Sequence, residues 1–205
     1  MGNADIKTQE NILRAGKEEF LKKGFLEASL RTIVKNAGVT TGAFYGYYKS
    51  KEELFDALVE EQEKYFMDTF VGAQNEFADL PPEEQPDNMS DISWNCMKHL
   101  LEYMYDNADV FKLILMHSEG TKHAGFVHAL AEIEIDATDA FLNVLHRLGH
   151  KTRHMDRHLE HMIVSGYFSA FFETIIHDMP LEQAKTYISE LKDFYTAGWY
   201  KIMEL

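Results

Sequence analysis

Apolar residues recur at the spacing of an α-helix along almost the whole 205-residue chain, and this pattern constrains the fold more than any other feature. The segment 123–148, for example, carries an apolar side chain every three or four positions, as one face of a helix requires. Alternating runs of β-branched residues, which would indicate strands, are absent from the sequence. The sequence therefore predicts an all-α fold of about nine helices.

Glycine, proline and hydroxyl residues mark where these helices begin and end. A first helix over 5–23 is expected to stop at Gly24, because glycine readily adopts the left-handed conformation that ends helices. Ser50 and Glu53 have the spacing of a capping box at the start of a long helix. Further helices are predicted over 29–36, 41–48, 50–77, 91–106, 108–117, 123–148, 155–178 and 181–203, with a linker over 78–91.

Charge is distributed unevenly along the chain. Residues 1–50 contain eight basic and five acidic side chains, a balance of +3, whereas the whole chain carries −14 and the remainder therefore −17. Such an asymmetry lets one end of a molecule approach phosphate while the other end is repelled. We accordingly divide the chain into a domain over 1–50 and a helical domain over 51–205.

The sequence also indicates a compartment. Cys96 is the only cysteine, which excludes an intramolecular disulfide and suits a reducing cytoplasm. The most apolar run, 162–172, is far shorter than the roughly 20 residues of a membrane-spanning helix. These features predict a cytoplasmic protein with no membrane partner.

The stretch 39–55 combines glycines, threonines and tyrosines in an order that an ordinary core helix rarely shows. Two short helices joined by a turn at Gly38 would form a helix-turn-helix, which presents its second helix to the major groove of DNA. Phe44 and Tyr48 are expected to face inward, while Tyr45 and Tyr47 are long enough to reach the sugar-phosphate backbone. These residues alone leave a helical hairpin in an ordinary bundle as an equal alternative.

The segment 12–59 contains a spaced set of aromatic, glycine and capping residues, namely Phe20, Gly24, Phe25, Ser29, Ile33, Ala37, Gly38, Val39, Gly42, Phe44, Tyr45, Tyr47, Tyr48 and 50–54. In the order and spacing of these residues, the segment closely resembles the DNA-binding domain of the tetracycline-repressor (TetR) family of transcriptional regulators. This resemblance implies an all-α homodimer that represses by occupying an inverted repeat in double-stranded DNA and is released when a small-molecule effector binds the C-terminal domain.

The same resemblance assigns the DNA contacts. Arg31 becomes a groove contact, and Tyr47 and Lys51 become phosphate clamps, the latter beside the free amides at the start of the fourth helix. A solvated or purely phosphate-bound Arg31 remains an open alternative. The full set of predicted DNA-binding residues is Arg31, Thr40, Thr41, Gly42, Ala43, Tyr45, Tyr47, Lys49 and Lys51.

Aromatic residues and methionines are plentiful in the C-terminal two-thirds of the chain. Most such side chains form a core, but a fraction is expected to line an apolar cavity for the effector. The predicted cavity residues are Phe66, Phe70, Trp94, Met97, Tyr103, Phe111, Phe126, Phe141, Tyr167 and Phe171.

The helix over 155–178 is apolar on nearly all its sides and must therefore be buried on all of them. Pairing of this helix and the last one with a second copy of the chain would provide the cover, although burial within one chain stays open. The predicted dimer residues are Gly166, Ala170, Phe172, Ile176, Phe194 and Trp199.

Histidines raise the alternative of a metal protein. His154, His158 and His161 would share a helix face, but a polar helix start without metal is the favoured interpretation, and neither a metal nor a cofactor is expected. Paired catalytic carboxylates, a nucleophile elbow and a glycine-rich phosphate loop are missing from the sequence, so an enzyme is not expected. The alternative function is a helical metal- or small-molecule-binding protein or enzyme without DNA binding. A third possibility keeps the DNA-binding fold but makes the protein an activator or a regulator without ligand.

Overall fold

The computed structural model describes residues 3–152 and 155–204, and helices are the regular elements of that part of the chain. The all-α prediction is confirmed there. The helices are α1 (Asn3–Glu27), α2 (Leu30–Ala37), α3 (Thr41–Tyr45), α4 (Lys51–Ala78), α5 (Gln85–Asp106), α6 (Ala108–His117), a 3₁₀ turn η1 (Lys122–Gly125), α7 (Phe126–Arg147), α8 (Arg157–Ile176) and α9 (Leu181–Met203).

Several helix boundaries agree with the sequence prediction, and two differ from it. Gly24 has a φ of 72°, so the first regular helix ends there as predicted and residues 25–27 form a further turn. α3 stops at Tyr45 instead of continuing to residue 48, because Gly46 and Tyr47 donate to carbonyls three residues back and tighten the chain. The predicted linker over 78–91 is shorter, since α5 already begins at Gln85.

The described chain forms two compact units. The first contains the described residues up to Lys64 together with Asn107–Gly125, and the second contains Tyr65–Asp106 and the described residues from Phe126 onward. The first unit thus adds α6, η1 and the first half of α4 to the three N-terminal helices. The division at residue 50 made from the sequence is a statement about function and stays a prediction.

An aromatic cluster holds the first unit together. Phe20, Phe25 and Phe55 meet with ring centroids 5.1–6.0 Å apart, largely edge to face, and Phe20 and Phe55 are fully buried. α2 contributes its buried face through Ile33, Val34 and Ala37. Edge-to-face aromatic pairs add about 0.5–1.5 kcal/mol each beyond the area they bury. This core fixes α1 and α4 as the frame on which the short helices α2 and α3 rest.

Candidate nucleic-acid interface and C-terminal cavity

Side-chain caps hold the α2–turn–α3 segment in shape. The Ser29 hydroxyl accepts the backbone N–H of Thr32, and the Ser29 N–H donates to the buried carboxylate of Glu19 at 3.1 Å. Gly38 turns the chain with a φ of 69°, in the left-handed region that favours glycine. Thr40 then caps α3 by accepting the N–H of Ala43 at 3.1 Å.

Two aromatic residues anchor α3 from behind. Phe44 is fully buried and Tyr48 is 5% exposed, with their rings 5.9 Å apart, as the sequence predicted. Gln9 of α1 donates to the Tyr48 hydroxyl at 3.4 Å, which ties the end of this segment to the first helix. The recognition segment is therefore held by the core although it is only five residues long.

The opposite side of α3 is open to solvent. Gly42 and Ala43 are exposed, and Tyr45 is 53% exposed. Tyr47 is half-buried, and its hydroxyl donates to the carboxylate of Asp5 at 3.5 Å, the limit of a hydrogen bond. The other predicted DNA contacts that are exposed are Arg31, Thr40, Thr41 and Lys49.

Lys51 has a different role from the phosphate clamp that the sequence suggests. Its ammonium donates to the backbone carbonyls of Phe25, Ala28 and Leu26 at 2.6, 3.1 and 3.3 Å and lies 4.5 Å from the Phe25 ring centroid. An ammonium has three hydrogens to donate, so three carbonyls use all of them. Burial lowers the pKa of Lys51, against a smaller effect of Glu27. In this structure Lys51 closes the turn between α1 and α2.

The start of α4 keeps one half of the predicted capping box. Ser50 accepts the N–H of Glu53 at 3.0 Å as expected. The Glu53 carboxylate reaches back one residue further than predicted, to the N–H of Lys49. Both contacts fix the residue pair 49–50 directly after the exposed segment, which sets where the Lys49 side chain leaves the backbone.

Sequence reasoning missed a buried charge cluster in the first unit. His123 of η1 is only 2% exposed and contacts two carboxylates of α4, with Nε2 2.9 Å from Asp56 and Nδ1 against Glu63. The exposed Lys122 also pairs with Asp56, at 3.1 Å. Asp56 and Glu63 lie seven positions apart and so share a helix face, but no local pattern pairs them with a residue 60 positions away.

The second unit contains a cavity of about 130 Å³ between α4, α5, α7, α8 and α9. Five predicted residues line it, namely Phe70, Trp94, Met97, Phe141 and Tyr167. The other five do not. Phe66, Phe126 and Phe171 are buried and pack against neighbouring rings, Phe111 belongs to the core of the first unit, and Tyr103 lies against Tyr65 with ring centroids 4.2 Å apart.

The cavity wall is aromatic, but it contains one carboxylate. Glu134 accepts a hydrogen bond from Gln74 at 2.6 Å, and burial raises its pKa to about 6 despite that bond. Burial likewise raises the pKa of the Cys96 thiol to about 11. Lys192 lies over Trp94 at 5.6 Å from the ring centroid. The arrangement offers flat apolar surfaces with one acidic group, Glu134, and one basic group, Lys192, among them.

The predicted dimer residues divide into different environments. Phe172 is 1% exposed and contacts Phe66 and Phe126, so it belongs to the core of its own chain, which corrects its assignment. Trp199 lines the cavity, and Gly166 faces the Tyr195 hydroxyl of α9. Ala170 and Ile176 are half-buried, whereas Phe194 is 72% exposed. The exposed large apolar residues of α8 and α9 are Leu159, Met162, Tyr187 and Phe194.

His158 and His161, which the sequence places on one histidine face with His154, have different partners in the structure. His154 lies outside the described residues. His158 is almost fully exposed and pairs with Asp156 at the start of α8. His161 instead meets His128 of α7, with the two nitrogens 3.3 Å apart. No helix in the described ranges is long and apolar enough to cross a membrane.

Known proteins resemble the chain most clearly over its N-terminal segment. The family model of bacterial regulatory proteins of the tetR family matches residues 12–58. YdgC of Bacillus subtilis, described as an uncharacterized HTH-type transcriptional regulator, is 37% identical over 59 residues, which are 29% of this chain and 30% of YdgC. SrpR of Pseudomonas putida, an HTH-type transcriptional regulator, is 25% identical over 143 residues, 69% of this chain and 59% of SrpR.

A solved structure extends the likeness to the whole fold. GusR of Salmonella enterica matches with a TM-score of 0.57 and 18% identity, over 97% of this chain and 96% of that one. At this identity the match shows a shared fold. The sequence matches span only 26–32% of the length of the first curated relatives, and the family model matches residues 12–58.

Proposed function

We propose that this chain, which belongs to the tetR family of bacterial regulatory proteins through residues 12–58, is a ligand-responsive transcriptional regulator. The observation that carries the proposal is the exposed face of α3. Thr41, Gly42, Ala43 and Tyr45 face solvent while Phe44 and Tyr48 hold the helix from behind. Small residues let the backbone approach base edges, and hydroxyls bond bases or phosphates.

A dimeric form follows from the way such motifs read DNA. One helix-turn-helix covers a half-site, and two of them related by a two-fold axis read an inverted repeat with half-sites about 34–36 Å apart. The exposed apolar residues of α8 and α9, with Met162 at 71% and Phe194 at 72% exposure, support pairing of these helices with a second copy. We therefore propose a homodimer on double-stranded DNA that acts as a repressor in the cytoplasm.

The cavity supports a small-molecule effector of a definite kind. Its aromatic wall suits a flat apolar group, and the Glu134 carboxylate suits a cationic nitrogen. A bound cation would in turn favour the ionised form of Glu134, whose pKa burial raises. A ligand that prefers a dimer geometry unsuited to the operator lowers DNA affinity by the same factor by which DNA lowers ligand affinity. We propose an aromatic amine as effector and release of DNA as its consequence.

The rival function is a helical binding protein or enzyme without DNA binding, and two lysines test it. Lys49→Met should make the fall of log affinity with log salt less steep by about 0.9, because one phosphate contact is lost. It should leave the free energy of unfolding unchanged. Lys51→Met should leave the salt slope unchanged. It should lower the free energy of unfolding by about 1–3 kcal/mol, because three backbone carbonyls lose their donor. Salt-dependent DNA titration and urea unfolding of both variants provide the measurement.

Each variant serves as the control for the other. A reduced salt slope in Lys51→Met with unchanged stability would restore Lys51 as the phosphate contact that the sequence suggests. Weak binding with the same salt slope in the parent and both variants would contradict DNA recognition and favour the rival function.

Intrinsic fluorescence tests the effector proposal, because both tryptophans of the chain, Trp94 and Trp199, line the cavity. 2-Phenylethylammonium should quench this fluorescence at concentrations about 10–100-fold lower than 3-phenylpropanoate, an anion of similar shape, since hydrogen bonds to charged groups contribute about 1.5–3 kcal/mol. Glu134→Gln should remove that preference.

Glu76→Gln is the matched control, because Glu76 lies on α4, two residues from the Gln74 that bonds Glu134, but is exposed and is absent from the cavity wall. Equal quenching by the cation and the anion, or a preference that survives Glu134→Gln, would contradict the proposed effector class. Neither outcome would bear on DNA recognition, which the lysine variants test separately.

A further inference from the structure

Two histidines and a glutamate converge where α7 and α8 meet in the second unit. His128 and Glu132 are one helical turn apart on α7, and His161 comes from α8. His161 Nε2 lies 3.3 Å from His128 Nδ1 and 3.7 Å from Glu132 Oε1, and one ligand atom from each residue falls within 4.8 Å of the other two. Side chains at i and i+4 stack on one helix face, which explains why the α7 pair is aimed together.

These separations are those of a metal's first coordination sphere. Two donors bound to Zn²⁺ at about 2.0–2.1 Å and a tetrahedral angle are about 3.3–3.4 Å apart. The His128–His161 separation matches this value, and the Glu132 oxygen lies slightly wider. Two imidazoles and one carboxylate select zinc-like transition-metal ions, whereas Mg²⁺ and Ca²⁺ prefer all-oxygen sites.

Neighbouring residues orient two of the three ligands. Ser165 bonds His161 Nδ1 at 3.3 Å, so the other nitrogen, Nε2, faces the site. Arg157 binds Glu132 Oε2 at 3.0 Å and leaves Oε1 toward His161. Partners of this type fix ring and carboxylate orientation at metal sites, and their loss typically weakens metal binding by about 10–100-fold.

The local charge also favours a cation. Among the described residues, Arg157 pairs with Glu132, Asp136 and Asp139 of α7, so three carboxylates contact the same positive side chain. A hydrogen bond between the imidazoles of His128 and His161 would explain why these two rings are in contact. It would not explain why the Glu132 carboxylate, which Arg157 binds, lies at the same point.

We propose that His128, Glu132 and His161 form a binding site for a zinc-like divalent ion that joins α7 to α8. The site differs from the histidine face suggested by the sequence, with which it shares only His161. It lies outside the set of residues that line the cavity, and it is independent of the regulatory function proposed above. Three protein ligands leave one tetrahedral position for water or another donor.

Binding is tested on the full chain, prepared without a polyhistidine tag and stripped with chelator, by calorimetric titration with Zn²⁺ and by the visible absorption of bound Co²⁺. One ion per chain is expected, with an imidazole-type tetrahedral or five-coordinate cobalt spectrum. His161→Ala and Glu132→Gln should each weaken binding by about 100-fold, and Ser165→Ala by about 10-fold. Zn²⁺ should raise the thermal midpoint of the parent but not of His161→Ala.

His158→Ala is the matched control, since His158 is on the same helix, is almost fully exposed and lies outside the cluster. It should bind Zn²⁺ like the parent. The absence of saturable binding at one ion per chain would overturn the proposal. So would binding that is lost in His158→Ala or His154→Ala but retained in His128→Ala, because the site would then be the face suggested by the sequence.

Discussion

Replacing His123 with alanine is expected to lower the free energy of unfolding by about 3–5 kcal/mol, the cost of removing one partner from a buried ion pair. The His123 imidazole is 2% exposed, and its two ring nitrogens contact the carboxylates of Asp56 and Glu63. Without it, two partly buried negative charges on one face of α4 face a void. Urea unfolding followed by circular dichroism measures the effect.

Lys122→Ala is the matched control for this prediction. Lys122 is the neighbouring residue and also binds Asp56, but its side chain is 51% exposed, and exposed pairs contribute about 1 kcal/mol or less. Equal effects of the two substitutions would show that His123 acts as an ordinary surface contact, and would contradict the role assigned to the cluster.

The same cluster predicts a dependence of stability on pH. Burial alone lowers the pKa of His123, but the hydrogen bonds that its ring donates to the carboxylates of Glu63 and Asp56 outweigh burial and raise the pKa above its usual 6.5. The stabilisation from the charged imidazole is therefore complete below pH 6.5 and is lost as the pH rises through the raised value. The stability difference between the parent and His123→Gln should shrink from pH 6 to pH 9, and a constant difference would contradict a charged His123.

Substitution of Gly42 by leucine should lower DNA affinity by about 10–100-fold, since the contacts between side chain and base that it disrupts contribute about 1–3 kcal/mol each. A Cβ at Gly42 would meet only the Thr40 hydroxyl at 3.9 Å, so the free protein accommodates the larger side chain. The loss should therefore come from a clash with DNA rather than from unfolding. Fluorescence anisotropy with a labelled operator measures affinity, and thermal unfolding measures integrity.

Gly72→Leu provides the matched control. Gly72 is an exposed glycine of α4 at which an added Cβ meets no atom within 4 Å among the described residues. It lies outside the proposed DNA-binding surface, and its substitution should leave affinity unchanged while it stabilises the helix slightly. If Gly42→Leu bound the operator as well as Gly72→Leu does, α3 would not be the recognition helix.

The sequence predicts the helix-turn-helix well because its determinants are local. Ser29, Gly38 and Thr40 each act within three or four residues, and the inward positions of Phe44 and Tyr48 follow from the same short pattern. Lys51 shows where a local rule fails. A helix start favours anions in general, but here the ammonium meets carbonyls 23–26 residues away, which no spacing rule reveals.

The C-terminal unit is less predictable for a physical reason. A phenylalanine that lines a cavity and one that fills a core have the same hydrophobicity, so Phe70 and Phe66 cannot be separated before their neighbours are known. Likewise, Phe172 and Phe194 both belong to apolar helices, yet one is core and the other is 72% exposed. The His128–Glu132–His161 cluster also depends on the register between α7 and α8, which periodicity within each helix does not fix.

Selection of bound duplexes from a random DNA pool, with purified chain at moderate salt and no added ligand, tests whether this chain recognises a DNA sequence. Enrichment of an inverted repeat whose half-sites are about one helical turn apart is expected, as a two-fold dimer of helix-turn-helix units requires. Gly42→Leu should enrich this repeat far less under the same conditions. If the parent and Gly42→Leu gave the same unenriched pool, this chain would not be a sequence-specific DNA-binding regulator.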